Sequence, residues 1–316
     1  MAANLVNRIG QIDQAGAADA IFLKVFPGEI VTEFDQVNVM MDLHMVRSIS
    51  SGKSASFPVM GAAAAAYHVP GAQLLGSQTM RQGEIVIGID GQLVSHESIA
   101  NIDEAMSHYE VRSEYARKMG QALANTTDTQ LLQVAVNCAR ASATLTGGSG
   151  GTAITDADAD TSGSSLVATA YAAAEQFDTV DVPESDRVLI VKPAQYYLLV
   201  QETALVDTDF SMGNGDYAKG AVKQVAGMRI VKSNHVPTTN IASATTGVSS
   251  LNTYHGNFST TVCVAMHRSA IGTVKLLDLA VEKEYQVSRQ STLLVAKYAM
   301  GHGYLRPEGA IEVKTA

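Results

Sequence analysis

Several clusters in this chain have residue types and spacings from which chemistry can be built. The run Gly147-Gly148-Ser149-Gly150-Gly151-Thr152 offers backbone N–H groups of the kind that cradle phosphate oxygens. It carries no Lys, however, and no buried strand leads into it, so it reads as a flexible linker. Asp156, Asp158 and Asp160 stand at the spacing of the first three ligands of a calcium loop. The sixth place is Thr161 rather than Gly and the twelfth is Val167 rather than Glu, which removes the sharp turn and the bidentate ligand, leaving a solvated acidic loop. Of the eight histidines, His44, His96 and His108 lie near carboxylates in sequence, yet no pair has HExxH spacing and no Ser sits in GxSxG. Asp103 with Glu104, and Glu110 with Glu114 one turn apart, can act as acid and base only in a cleft. With Arg112, Arg117 and Lys118 beside them they read as an exposed, ion-paired helix face. Met40, Met41, Met45, Met106 and Met119 read as adaptable packing. No catalytic residue, cofactor site or metal site is expected.

Composition points the same way. The chain has 316 residues and a formal charge of −9 from 22 basic and 31 acidic residues. Its charged fraction of 17% is low for a soluble domain, which usually has about 25%, and implies that partners cover much of the surface. The acidic balance argues against a protein that grips nucleic acid, because phosphate binding rests on clustered Lys and Arg. The two cysteines, Cys138 and Cys263, form no disulfide framework or zinc spacing and fit a reducing compartment. The start has neither a basic n-region nor an apolar h-region, and no apolar run is long enough for a membrane span, so neither secretion by a signal peptide nor membrane insertion is expected.

The elements that must position these residues follow from periodicity. Met1 to Ala20 is polar and aperiodic and reads as an arm that orders with a partner; Ile21 to Phe34 reads as its anchor. Met45 to Gly61 and Glu84 to Val94 read as strands that pair as a long hairpin, with a small-residue tip between them. Such a ribbon is marginal alone and must lie on something else. Asn101, with Glu104 three residues later, opens the strongest helix signal, which continues to Ala143 unless Asn125-Thr126-Thr127-Asp128 bends it. At 1.5 Å per residue it would be about 60 Å long, a spine rather than a core helix. Beyond the Gly/Ser-rich stretch Leu145 to Ser165, an α/β or α+β layer is expected: helix Leu166 to Phe177, buried strand Arg187 to Val191, helix Pro193 to Gln201 and strand Gly227 to Lys232. Thr238 to Thr261 reads as a surface loop or edge hairpin. The strand-like runs Thr261 to Ala265, Val274 to Tyr285 and Thr292 to Val313 are expected to return to the hairpin and spine.

Five blocks resemble the major capsid protein of short-tailed, podovirus, autographivirus-type double-stranded-DNA phages. They are FLKVFPGEIVTEF (Phe22 to Phe34), HMVRSISSGKSASFPVMG (His44 to Gly61), AMSHYEVRSEY (Ala105 to Tyr115), MHRSAIGTVKLLDLAVE (Met266 to Glu282) and AKYAMGHGYLRPE (Ala296 to Glu308). They are long, idiosyncratic and in family order, whereas 145–182 and 238–261 depart from the pattern. The resemblance implies an α+β protein with the tailed-phage and herpesvirus capsid fold. Its expected parts are an N-terminal arm and anchor (1–44), an extended loop (45–96), a peripheral domain with the spine helix (97–165), an axial domain (166–266) and return strands of the peripheral domain (267–316). It further implies pentamers and hexamers in an icosahedral shell, with triangulation number seven as the family expectation. A scaffolding protein would guide a procapsid that expands on packaging, a portal protein would occupy one vertex, and a decoration protein is a further expected partner. The shell would enclose DNA without sequence-specific binding, no membrane would be involved, and subunits would wait in the bacterial host cytoplasm before joining the virion.

Such a chain has interfaces in place of an active site. Arg47 and Lys53, at the base of the extended loop, are expected to attract Asp103, Glu110 and Glu114 of an adjoining subunit's spine helix. Lys53 is also a conceivable donor for an isopeptide cross-link, but no Asn partner or carboxylate is identifiable and no cross-link is expected. Two rivals are an encapsulin-like bacterial shell, which would need a cargo pocket, and an α+β enzyme, which would need a cleft.

Overall fold

The computed structural model describes residues 39–61, 63, 65, 67–71, 73, 80–101, 111–202, 215–216, 221–241 and 252–316. In chain order, strands β1 (Met45–Ser48), β2 (Ser54–Met60), β3 (Gln82–Gly88) and β4 (Leu93–Ala100) precede helix α1 (Val111–Arg140). Then come β5 (Thr152–Thr155), α2 (Gly163–Thr179), β6 (Arg187–Val191) and α3 (Pro193–Gln201). The short strands β7 (Gly215–Asp216), β8 (Ala221–Val222) and β9 (Gln224–Val225) lead to β10 (Met228–Lys232), β11 (Asn240–Ile241) and β12 (Gly256–Asn257). The chain ends with β13 (Thr261–His267), β14 (Ile271–Gln286), β15 (Ser291–Tyr304) and β16 (Ala310–Lys314).

A six-stranded sheet, ordered β5-β16-β13-β6-β10-β9, has apolar cover on both faces. Strand β6 (RVLIV) lies in its interior and is buried at every residue, as its unbroken apolar run predicts. Alternate residues serve different cores. Val188 and Ile190 join Leu131, Leu132 and Val136 of α1, while Leu189 and Val191 join Leu166 and Phe177 of α2 and Leu199 of α3. Local chemistry starts both short helices where expected: Ser162 caps α2 by accepting from the Ser165 N–H at 3.4 Å, and Pro193 opens α3.

A four-stranded sheet, ordered β1-β14-β15-β4, carries the other half of α1. Ala116, Met119, Leu123 and Ala124 pack on Ile99 of β4 and on Leu294, Ala296, Tyr298 and Met300 of β15. One helix therefore bridges both sheets, which is what a spine does. Helix α1 runs unbroken through Asn125-Thr126-Thr127-Asp128, the one place where a bend was open, because the polar side chains bond locally without displacing its ladder. Thr126, Thr127 and Thr129 donate to carbonyls four residues back, at 2.9, 3.0 and 2.8 Å. Asp128 instead accepts the backbone N–H groups of Val39 (3.0 Å) and Met40 (3.3 Å), tying the incoming chain to the helix. Asn101 is helical and its Oδ1 accepts from the Thr292 hydroxyl at 3.4 Å; Glu104, its expected capping partner, lies outside the described residues.

The expected hairpin forms with a narrower register. Ser54–Met60 pairs with Gln82–Gly88, placing Phe57 opposite Ile85, but Met45–Ser48 runs parallel to β14 and Leu93–Ala100 lies against β15. Gly52, at φ 116°, divides the first run, and the second is divided where the Asp90 N–H bonds the Met300 carbonyl at 3.1 Å. The C-terminal runs also separate. Strands β14 and β15 return to the hairpin and spine, whereas β16 enters the six-stranded sheet between β5 and β13. In the excursion 238–261, expected as a surface loop or edge hairpin, β11 and β12 form a two-stranded antiparallel ladder, and Asn252, Tyr254 and Phe258 are buried. The arm and anchor expected over residues 1–34 lie outside the described residues.

Candidate assembly site

The association expected from the sequence requires a projecting surface and joints that aim it. The projecting surface is the β2–β3 ribbon. Its inner face, Ala55, Phe57, Ile85 and Ile87, clusters with Val274 and Leu305 at the root. Its outer face carries Ser56 and Glu84, joined by a 2.7 Å hydrogen bond. Farther along, Met60, Tyr67, Val69 and Met80 are exposed, with Tyr67 bare in the single chain.

Arg47 and Lys53 both lie near the ribbon root. Arg47 Nη1 donates to the Ser56 carbonyl at 3.1 Å, and its guanidinium lies 5.4 Å from the Phe57 ring centroid. Lys53 is exposed and its carbonyl accepts from the Ile89 N–H at 2.8 Å. Asp103 and Glu110 lie outside the described residues, and Glu114 is placed only by its backbone, in the first turn of α1.

Periodicity missed two joints. The first lies beneath the ribbon root. His44 Nδ1–H donates to the Met40 carbonyl at 2.7 Å, which leaves Nε2 to accept from the Thr273 hydroxyl at 2.6 Å. That hydroxyl oxygen accepts in turn from His302 Nδ1–H at 2.8 Å. Beside it, Tyr254 donates to Asp90 Oδ2 at 2.5 Å and accepts the His302 backbone N–H at 2.9 Å. Asn252 donates to the Gly88 carbonyl and to Asp90 Oδ1, each at 2.8 Å. Burial lowers the basicity of His44 and takes His302 down to about 3, with the neighbouring imidazole adding to the effect on His302. Burial, with the Asp90 carboxylate next to it, pushes the Tyr254 hydroxyl up, so it stays a proton donor.

Glycine makes this crossing possible. A Cβ on Gly301 would stand 1.8 Å from the Gly88 carbonyl oxygen, so β15 and the ribbon root touch backbone to backbone. Gly301→Ala is expected to displace the ribbon, cost about 1–3 kcal/mol by overpacking and prevent particle formation. Urea unfolding together with electron microscopy checks this. Normal particles at unchanged stability would show that the close approach is dispensable. A signal was present, since Gly301-His302-Gly303 puts two glycines inside a strand pattern, which marks a close backbone approach.

The second joint fastens the end of α1 to the six-stranded sheet. Arg140 Nε and Nη2 grip Glu312 at 2.6 Å each, Nη1 donates to the Asn257 carbonyl at 2.6 Å, and the Thr261 hydroxyl donates to Glu312 at 2.6 Å. Glu312 is fully buried, and its hydrogen bonds raise the basicity of Arg140. A carboxylate inside the apolar run Ala310-Ile311-Glu312-Val313 was the available signal, because a buried charge needs a partner.

The other sequence clusters have structural roles. Gly151 passes the end of α1 so closely that a Cβ would meet the Cys138 carbonyl oxygen at 2.4 Å, and its N–H bonds the Ala141 carbonyl at 2.9 Å. The glycine run thus turns the chain from α1 into β5. Asp156 Oδ1 accepts from the Asp158 N–H at 3.0 Å in the turn before α2. Among the described residues no group of three His, Cys, Asp or Glu side chains converges as a metal site. Cys138 and Cys263 are free and buried, and burial raises both thiols, Cys263 to about 12. No described helix is long and apolar enough to cross a membrane.

The family model described as "Gp10A-like: Major capsid protein" matches residues 56–314, which takes in most of the ribbon, α1, the whole six-stranded sheet and three strands of the four-stranded one. The chain belongs to the Gp10A-like major capsid protein family. Its similarity to the major capsid protein of Escherichia phage T7 is 36% identity, covering 94% of this chain and 92% of that protein. With the major capsid protein of Enterobacteria phage T3 it shares 37% identity, covering 93% and 92%. Among solved structures, the capsid of cyanophage P-SCSP1u aligns at a TM-score of 0.81 and 40% identity, over 99% of this chain and 93% of that one. The α+β architecture is therefore the phage capsid fold. As a Gp10A-like capsid protein the chain is a structural component of a shell built from many copies, and the capsid expectation takes precedence over the encapsulin and enzyme rivals.

Proposed function

We propose that this chain is the shell subunit of a short-tailed phage head, forming pentamers and hexamers of an icosahedral capsid around double-stranded DNA. The observation that carries the reading is the extent of the family likeness, which runs through the ribbon, the spine and both sheets rather than through one module. Within it, the β2–β3 ribbon acts as the extended loop in 45–96, α1 as the spine of a peripheral domain in 97–165, and 166–266 as the axial domain. The segment 267–316 returns to the peripheral domain and lends β16 to the larger sheet. Assembly proceeds on a scaffolding protein in the host cytoplasm, with a portal at one vertex, expansion on packaging and a site for a decoration protein. Each contact is modest, and closure of a symmetric shell multiplies it. The charge of −9 suits a wall around packaged DNA, since a basic lining would hold phosphates and hinder packaging and ejection. Co-expression with the phage's scaffolding protein, followed by electron microscopy, tests the reading: closed shells are expected, and folded monomers alone would overturn it.

Arg47 and Lys53 serve as the basic side of a contact with Asp103, Glu110 and Glu114 of a neighbour's spine helix. The Ser56 bond uses one of the five guanidinium N–H groups of Arg47, which leaves donors for a carboxylate. Arg47→Glu is expected to lower shell yield, most strongly at low salt, through loss of about 2–5 kcal/mol per contact if the pair is desolvated. Combining it with Glu110→Arg or Glu114→Arg should restore yield for the true partner. Full yield from Arg47→Glu at every salt concentration would remove this contact from the assembly.

A further inference from the structure

His44, Thr273 and His302 come from three separate segments of the chain, and all three side chains are buried. Their hydrogen bonds run in one direction. His302 Nδ1–H donates to Thr273 Oγ1, the Thr273 O–H donates to His44 Nε2, and His44 Nδ1–H donates to the Met40 carbonyl, at 2.8, 2.6 and 2.7 Å. The order is forced from its last member, since a carbonyl can only accept. A proton arriving at His44 has to occupy Nε2, the atom that receives the Thr273 hydroxyl hydrogen. The hydroxyl oxygen would then face two N–H donors, and its own hydrogen would lose its acceptor. A proton arriving at His302 would put a charge beside the other ring. In this donor order both imidazoles are neutral, and a proton on His44 reverses it.

The surrounding groups leave that conclusion standing. Asp42 favours a charge on His44 and Arg268 opposes it. His302 faces His44 and, at 6.2 Å in an edge contact, the ring of Tyr254, whose hydroxyl is committed to Asp90. Asp90 is further engaged by Asn252. At the far end Asp128 holds the Val39 and Met40 N–H groups, with His235 nearby. What the chain joins is mechanical: the approach to β1, the long β14–β15 pair and, through Tyr254 and Asn252, the ribbon root at Gly88 to Asp90.

We propose that the His44–Thr273–His302 chain is a proton-operated latch, which in its neutral form holds the ribbon root on the four-stranded sheet and on protonation releases the ribbon together with residues 252–254. Burial acts in the same sense, lowering both rings from their ordinary value of 6.5 and His302 to about 3. For bases depressed in the closed state, closure is fully favoured above 6.5 and is lost as the pH falls below it. Opening then rises up to tenfold per pH unit for each ring that must charge, and up to a hundredfold for two. A shell subunit with this latch keeps its projecting ribbon fixed at neutral pH and frees it in acid.

Hydrogen exchange of the full chain from about pH 8 to about pH 5, corrected for the intrinsic rate, tests the proposal on peptides covering 82–90 and 252–258, with β6 as the internal reference. Opening of both peptides is expected to rise at least tenfold between about pH 6.5 and about pH 5.5 while β6 stays protected. His44→Gln and His302→Gln should each flatten that rise. Imidazole C2-hydrogen exchange on the unmodified chain, which needs no variant to fold, should place His44 below 6.5 and His302 far below it. Protection of the ribbon root unchanged to about pH 5, loss in step with β6, an unaltered slope in either variant, or ordinary titration of both rings would each overturn the latch.

Discussion

Arg140→Met is expected to destabilise the subunit by about 3–5 kcal/mol, because it leaves the Glu312 carboxylate buried without its counter-charge. The arrangement makes the loss large. Both carboxylate oxygens are gripped by the guanidinium, the Thr261 hydroxyl completes one of them, and none of the Glu312 side chain reaches solvent. Removing Arg140 also takes a hydrogen bond from the Asn257 carbonyl, a stacking partner 5.4 Å from the Phe258 ring centroid, and a cation from the last turn of α1. Urea unfolding gives the number, and a second variant separates charge from packing. Arg140→Met with Glu312→Leu should recover much of the loss, since an apolar pair of similar volume avoids desolvating two ions. A single variant within about 1 kcal/mol of the parent would show that the joint is dispensable.

Met119→Pro should cost about 3 kcal/mol or more in helix stability alone. The ring removes the N–H that bonds back to the carbonyl of Tyr115 and clashes with that turn. Here the damage exceeds a local kink. Met119 is buried against the four-stranded sheet, while residues from Leu131 onward pack on the six-stranded sheet, so a broken α1 uncouples the two. Loss of shells by electron microscopy and a lowered urea midpoint are the expected results. Met119→Leu, which conserves volume and keeps the N–H, should cost under about 1.5 kcal/mol and still assemble. Normal shells from Met119→Pro would reject the spine role of α1.

Much of the fold was legible because the relevant physics is local. The unbroken apolar run RVLIV is the interior strand β6, Pro193 opens α3, and the apolar positions Ala116, Met119, Leu123, Leu131 and Leu132 line the buried side of α1. The strand-like runs Met45 to Gly61 and Glu84 to Val94 predicted a hairpin, and its core, Ser54–Met60 against Gln82–Gly88, forms with Phe57 opposite Ile85. The family likeness was legible too, in long blocks that one residue after another had to match.

What periodicity does not encode is the choice of partner. Nothing in Met45–Ser48 says that it runs parallel to β14 rather than continuing the ribbon, and nothing in Ala310–Lys314 says that it inserts between β5 and β13. The candidate site divides the same way. Residue type and spacing put Arg47 and Lys53 beside the ribbon and showed the calcium-loop spacing of Asp156, Asp158 and Asp160 to be broken at Thr161 and Val167. The His44–Thr273–His302 chain and the Arg140–Glu312 pair depended on tertiary structure, because their members lie 229, 29 and 172 residues apart and meet only after the sheets have formed. A sequence determines which residues can be buried; which buried polar groups then satisfy one another is decided by the packed backbone, where every donor must find its acceptor at once.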